Sequence, residues 1–388
     1  MAHLRTLIFL FVCCPLLVFS QEAKKEPPTP WSLSPGWWQE LTESQPDEAD
    51  KKVKELIQSL QSLDSQVAAD SKELVRVALD AISKNINQYL QLRKLNGWVI
   101  EAAPAEKQSY TIDDLLNAAK QLKLDQATLQ EASDDVKRLE SVLVQAIQRV
   151  DELNVEYAAT AGKSLQRTVA GLNVMVAVTG RAVVEQRLRV AREKQGGIEQ
   201  RVSWSKAILA SAKDRLDLSS IDSAALERDV ASATGRETTL QAELLQIEAD
   251  LLPTDAGGHV DTQLLRAVNK LISFAQAQIQ IIMGRAKMAL VTLAKGEESR
   301  VDGTALIENA RSWIKDLDKL EKQEIEWKKL IRREQDAIER RLLGAGGEGT
   351  IPQDEGAEFL RRAIDTLSSL EHLEVERFQT SILAQQAS

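Results

Sequence analysis

Apolar side chains return along most of this chain at alternating steps of four and three residues. In 222–252 they fall at Leu226, Val230, Ala233, Leu240, Leu244, Ile247 and Leu251, and only Glu237 breaks the rhythm. In 260–295 the series Leu265, Val268, Ile272, Ala275, Ile279, Ile282, Ala286, Ala289 and Leu293 has no polar exception. Earlier, Leu122, Leu129, Val136, Leu143, Val150 and Tyr157 recur every seven residues, with Ala132, Leu139, Ala146 and Leu153 at the complementary positions. A period near 3.5 places one apolar stripe on each helix, suited to knobs-into-holes packing. Alternation at period two, the mark of half-buried strands, is absent.

Prolines fit the same picture. They crowd the start, at Pro27, Pro28, Pro30, Pro35 and Pro46, and then appear only at Pro104, Pro253 and Pro352. Proline inside a helix costs ~3 kcal/mol, so the long proline-free stretches are free to be helical. Breaks fall at Asn96-Gly97, 102–109, Gly196-Gly197, 218–220, 253–258, 296–303 and 344–356. Thr111 and Asp114 have the spacing of a capping box that opens a helix. The stretch 111–195 lacks proline and a polar loop. The register slips between Tyr157 and Leu165, and Gly162, Gly171 and Gly180 follow or fall within that slip. We expect one long helix bent near these glycines rather than a hairpin turn. Short loops between helices of similar length imply antiparallel neighbours. The expected fold is all-α: elongated antiparallel helical hairpins and bundles with coiled-coil segments. The segments are 47–96 (a helical hairpin), 111–252 (a long-helix coiled-coil region) and 260–388 (a helical bundle).

The N-terminus changes the picture by adding a compartment. Arg5 precedes an apolar run over 6–19, and Ser20 offers a small residue before Gln21. This is the layout of a secretory signal peptide over 1–20, cleaved after Ser20. The alternatives are an uncleaved anchor and, with Cys13 and Cys14 badly placed for it, a lipoprotein. Both cysteines lie in this segment, so the mature chain would hold no disulfide, thiolate nucleophile or cysteine metal site. No Asn-x-Ser/Thr sequon occurs. We expect export, to a bacterial periplasm, with association to the inner membrane left open. No later segment is expected to span a membrane. The net charge of −9, one unit more negative once Arg5 is removed, suits a soluble surface and disfavours nucleic acid.

Residues 21–46 form a linker rich in proline and tryptophan. Within it, 31–41 read WSLSPGWWQEL, holding Trp31, Trp37 and Trp38 in a chain that is 4% aromatic. Exposed tryptophans invite association. The segment either caps the core of the first hairpin, binds a partner, or lies at a membrane interface. Trp313 and Trp327 fall on a seam with Leu306, Leu317, Leu320 and Ile331, as core knobs first and interface residues second. Together with the three linker tryptophans they are the candidate docking contacts. Glu324 on that seam is placed at a bundle edge.

Candidate chemistry is sparse. GAGGEG at 344–349 follows a charged helix rather than a strand, so it lacks the setting of a dinucleotide fingerprint. Gly162-Lys163-Ser164 lacks the remaining glycine of a phosphate loop and is expected on a helix surface. Asp255, His259 and Asp261 in TDAGGHVD could approach a divalent ion, but suit a turn and helix cap better. His372 is expected to be solvated. Lys328, Lys329, Arg332, Arg333, Arg340 and Arg341 interleave with acids and suit a helix C-terminus. No cofactor, metal site or catalytic residue is expected.

The order signal peptide, L-x-P-x-W-W (Leu33, Pro35, Trp37, Trp38), helical hairpin and long heptad-bearing helices resembles the extracytoplasmic N-terminal region of large mechanosensitive channels of the small-conductance family. That resemblance implies a role near the inner membrane and a membrane channel protein as partner. The membrane helices and pore helix of such channels are not found here. The expected function is a non-catalytic exported scaffold acting by helix–helix association with protein partners, a second copy among them. The alternatives are a stand-alone or truncated periplasmic part of such a channel, and a metal- or ligand-binding helical module.

Overall fold

A computed structural model describes residues 28–34, 36–43, 46–62, 72–95, 102–162, 164–219, 221–250, 262–294, 303–342 and 353–388. The proposed signal peptide, Pro35, TDAGGHVD, GAGGEG, Asn96-Gly97 and Lys163 lie outside the described residues. Among the described residues there are nine helices and no strand: α1 (Trp37–Thr42), α2 (Pro46–Gln61), α3 (Lys72–Lys94), α4 (Ile112–Ala158), α5 (Leu165–Asp214), α6 (Ser223–Asp250), α7 (Thr262–Ala294), α8 (Gly303–Leu342) and α9 (Gln353–Gln386). The chain is therefore all-α, with helices packed on helices.

The capping box at the start of α4 is formed. Asp114 N–H donates to Thr111 Oγ1 at 3.1 Å, and Thr111 N–H donates to Asp114 Oδ2 at 3.0 Å. Each bond satisfies a donor that the first helical turn leaves free. A hydrogen bond from Lys107, then that from Thr111 N–H, holds the Asp114 carboxyl below its ordinary range.

Contrary to the expectation of one bent helix over 111–195, the chain turns between α4 and α5. Gly162 sits at φ +70°, a left-handed conformation that disfavours any residue with a Cβ. Gly162 and Ser164 thus belong to a turn and not to a helix surface. Ser164 caps α5 by accepting from Arg167 N–H at 3.1 Å. The slip between Tyr157 and Leu165 was a turn signal hidden by the absence of proline.

Two compact units arise, each from discontinuous segments. The first takes 1–96 and 137–190, the second 97–136 and 191–388, so α4 and α5 contribute to both. In the first unit, Leu153 and Tyr157 of α4 meet Val174 of α5. The pair α2–α3 also belongs here, with Lys94 reaching Asp50 at 3.6 Å. Its main core joins Leu56 of α2, Ile82 and Ile86 of α3, and Leu172 and Met175 of α5.

In the second unit α4 and α5 run antiparallel: Tyr110 N–H donates to Arg215 O at 3.0 Å, and Asp125 meets Arg201 and Ser205. α6 and α7 are antiparallel too, with Arg236 on Gln280, Glu237 on Gln278 and Lys270 on Glu243. Glu237, the exception in the α6 seam, is thereby bonded across the pair. The α7 seam from Leu265 to Ala289 is buried. It packs with Leu317 and Ile331 of α8 and Phe359 and Leu370 of α9. Asn269 and Gln276 of α7 bond Thr366 and Glu376 of α9, so those two helices are parallel, with α8 antiparallel to α9 through Lys328 and Glu374 at 2.8 Å. Among the described residues one helix, α5, is long and apolar enough to cross a membrane by length and composition, whereas no later segment was expected to. Its apolar side chains Leu172, Met175, Ala182 and Val183 lie in the core of the first unit.

Candidate functional site: the tryptophan strap and the buried charged pairs

The five candidate tryptophans divide between the units. Trp37 and Trp38, on the short helix α1, are buried among α2, α3 and α5, at 4% and 9% exposure. Trp38 packs edge to face on Trp37 and on Tyr89, with ring centroids 5.5 and 5.2 Å apart. Such pairs add to the large area each ring removes from water. Trp31 packs half-buried against the same core. Trp313 and Trp327 are half-buried on α8 in the second unit: Trp313 borders two apolar clusters and Trp327 one.

The segment 28–34 forms a strap across the start of α5. Gly171 makes this possible. A Cβ there would overlap the Pro30 carbonyl, 2.6 Å from its carbon and 3.0 Å from its Cα. The strap backbone therefore lies directly on the helix. Arg167 fastens it: its Nε donates to Trp31 O at 2.9 Å, and its Nη1 donates to Thr160 O and, at 3.4 Å, to Tyr157 O. The guanidinium carbon stands 4.1 Å from the centre of the Tyr157 ring, within cation–π range. Tyr157 Oη accepts from Leu33 N–H at 3.1 Å. One arginine thus ties the strap, the end of α4 and the start of α5 together. The sequence reading named the tryptophans but missed Arg167 and Tyr157 as their anchors. It gave Gly171 a bending role, whereas Gly171 is a seat.

A second set of polar residues sits inside the seams. Asp125 of α4 is nearly fully buried, and Oδ2 accepts from Ser205 Oγ at 2.7 Å while Oδ1 faces Arg201 at 3.1 Å. On α8, Glu324 is fully buried rather than at a bundle edge, because Arg377 of α9 meets it at 2.9 Å. Arg377, itself buried, also donates to Glu321 at 3.1 Å. Burial pushes the Glu324 carboxyl above the ordinary glutamate range, against the pull of Arg377. On the surface, Arg361 and Arg362 hold Glu358 down at about 2. Of the basic run in α8, Lys328 reaches Glu374 and Lys329 reaches Glu326, both at 2.8 Å.

Among the described residues, no group of three or more His, Cys, Asp or Glu is arranged to hold a metal ion. His372 is exposed on α9. The polar geometry joins helices: charged and hydroxyl groups meet one another across seams. No family model matches the chain, and no curated protein or solved structure matches it.

Proposed function

We propose that the chain is an exported, non-catalytic scaffold of the bacterial envelope that works by helix–helix association. The observation that supports this reading is how its buried polar side chains are used. Among the described residues these are Asp125, Thr179, Ser205, Glu324, Thr366, Arg377 and Thr380. All but Thr380 bond to a side chain on a second helix, and Thr380 bonds the backbone of its own helix at Glu376. Groups that could have served chemistry serve instead to set which helices meet and in what register. The result is a set of specified helical surfaces, which is what a scaffold offers a partner.

The test has two readouts on the full chain produced in a diderm bacterium. Mass spectrometry of the periplasmic fraction is expected to find a chain beginning at Gln21. Cross-linking before lysis is expected to join it to a second protein or a second copy. A chain retaining Met1 in the cytoplasm would refute export. A periplasmic chain that remains uncross-linked would refute association. A membrane pore protein as the cross-linked partner would turn the scaffold reading toward channel assembly.

A further inference from the structure

We propose that Glu324, with the carboxylates gathered around Arg377, is a proton-binding site through which ambient pH sets how tightly α8 and α9 pack. The charges do not balance where these helices meet. From α8 come Glu321, Glu324 and Lys328; from α9 come Glu374 and Arg377. Three carboxylates face two cations. Lys328 is bonded to Glu374 at 2.8 Å, and Arg377 divides its donors between Glu324 and Glu321 at 2.9 and 3.1 Å. α7 supplies a neutral group, Gln276, which bonds Glu376 on α9.

Two buried carboxylate oxygens lack a donor, Glu324 Oε1 and Glu376 Oε2, and of the two carboxylates only Glu324 is held by Arg377. Glu324 Oε2 takes the Arg377 Nε–H, but Oε1 is buried and has no donor. A buried carboxylate oxygen without a partner is costly, more so with like charges beside it. Glu374 and Glu321 both act on Glu324 in that direction, and burial does so most strongly. A proton on Oε1 removes the surplus charge and leaves the Arg377 bond to Oε2 in place. The proton comes from solvent, the new bond is O–H, and the local charge rises by one unit.

The folded carboxyl is raised above its unfolded value, so protonation favours the folded state. This contribution is whole below pH ~4.5 and is lost as pH rises through the raised folded value. The Glu324→Gln variant keeps the neutral shape at every pH. The experiment is urea unfolding of the full chain and of Glu324→Gln across this range, with circular dichroism. The expected result is a ratio of unfolding constants, wild type over variant, that climbs by up to tenfold per pH unit and then levels. Every group other than residue 324 is common to the two chains, so its contribution cancels in the ratio. A ratio that stays constant, or falls with pH, overturns the proposal. Should the variant not fold, infrared titration of the wild-type chain replaces it. A protonated carboxyl band persisting above the range where exposed glutamates ionise supports the site, and a spectrum without one overturns it.

Discussion

Replacing Gly171 with alanine tests whether the strap is held by close approach to α5. An added Cβ would stand 2.6 Å from the Pro30 carbonyl carbon, whereas carbon atoms rest at ~3.5–4 Å. The obstacle is backbone, so the strap must rise by ~1 Å. Arg167 Nε to Trp31 O, now 2.9 Å, and Leu33 N to Tyr157 Oη, now 3.1 Å, then both stretch beyond hydrogen-bond range. A bond to a charged donor contributes ~1.5–3 kcal/mol and a neutral one ~0.5–1.5. Both are partly exposed, which favours the lower values. Against this loss, Gly→Ala inside a helix gains about 1 kcal/mol. The expected net cost is ~1–3 kcal/mol. Gly196 is the control: it is on the same helix, and a Cβ there meets nothing within 4 Å. Gly196→Ala should stabilise by about 0.5–1 kcal/mol. Urea unfolding followed by circular dichroism compares the two variants in one experiment. If Gly171→Ala proves as stable as Gly196→Ala, the strap is not seated where the geometry places it.

Two further outcomes follow from the cores. Trp38→Ala removes a ring packed on Trp37 and Tyr89 at 9% exposure and should cost ~3 kcal/mol, read as a lowered thermal midpoint. A variant with unchanged stability would mean the ring is not part of the core. Arg377→Met leaves Glu324 buried without its cation and should cost ~3–5 kcal/mol at neutral pH, while the double variant Glu324→Leu/Arg377→Met should return to within ~1–2 kcal/mol of wild type. A double-mutant cycle by urea unfolding measures the coupling, and additive losses would refute the pairing.

Much of the fold was legible because helical packing writes itself as periodicity. The α7 seam needed only its apolar spacing to be found: its positions from Leu265 to Ala289 are buried, and Leu293 at its end is half-buried. The capping box at Thr111 and Asp114 is equally local. The turn at 159–164 was not legible in that way. It uses a left-handed glycine, Gly162, and no proline, and a stabilising contact comes from Arg167, eight residues beyond Ala159. The strap was half legible. Clustered tryptophans announced that the segment is buried somewhere, but its seat is the absence of a side chain at Gly171, which periodicity cannot signal.

The charged pairs carry a more general lesson about seams. Glu324 sits among Leu317, Leu320, Trp327 and Ile331 at steps of three and four, and Arg377 sits likewise among Phe359, Ala363, Thr366, Leu370, Leu373 and Thr380. Asp125 is in step with Leu122 and Leu129, and Ser205 with Val202 and Leu209. A lone charge in an apolar stripe costs several kcal/mol unless another group answers it. Each such residue is therefore a demand, and the chain must meet it from the stripe that faces it. Periodicity says which side of a helix is buried but is silent on what it is buried against. A polar residue in the stripe supplies that missing information, because few other stripes hold a residue able to satisfy it. Glu324 and Arg377, opposite in sign and each out of character on its own helix, answer one another across α8 and α9. Asp125 and Ser205 answer one another across α4 and α5 in the same manner.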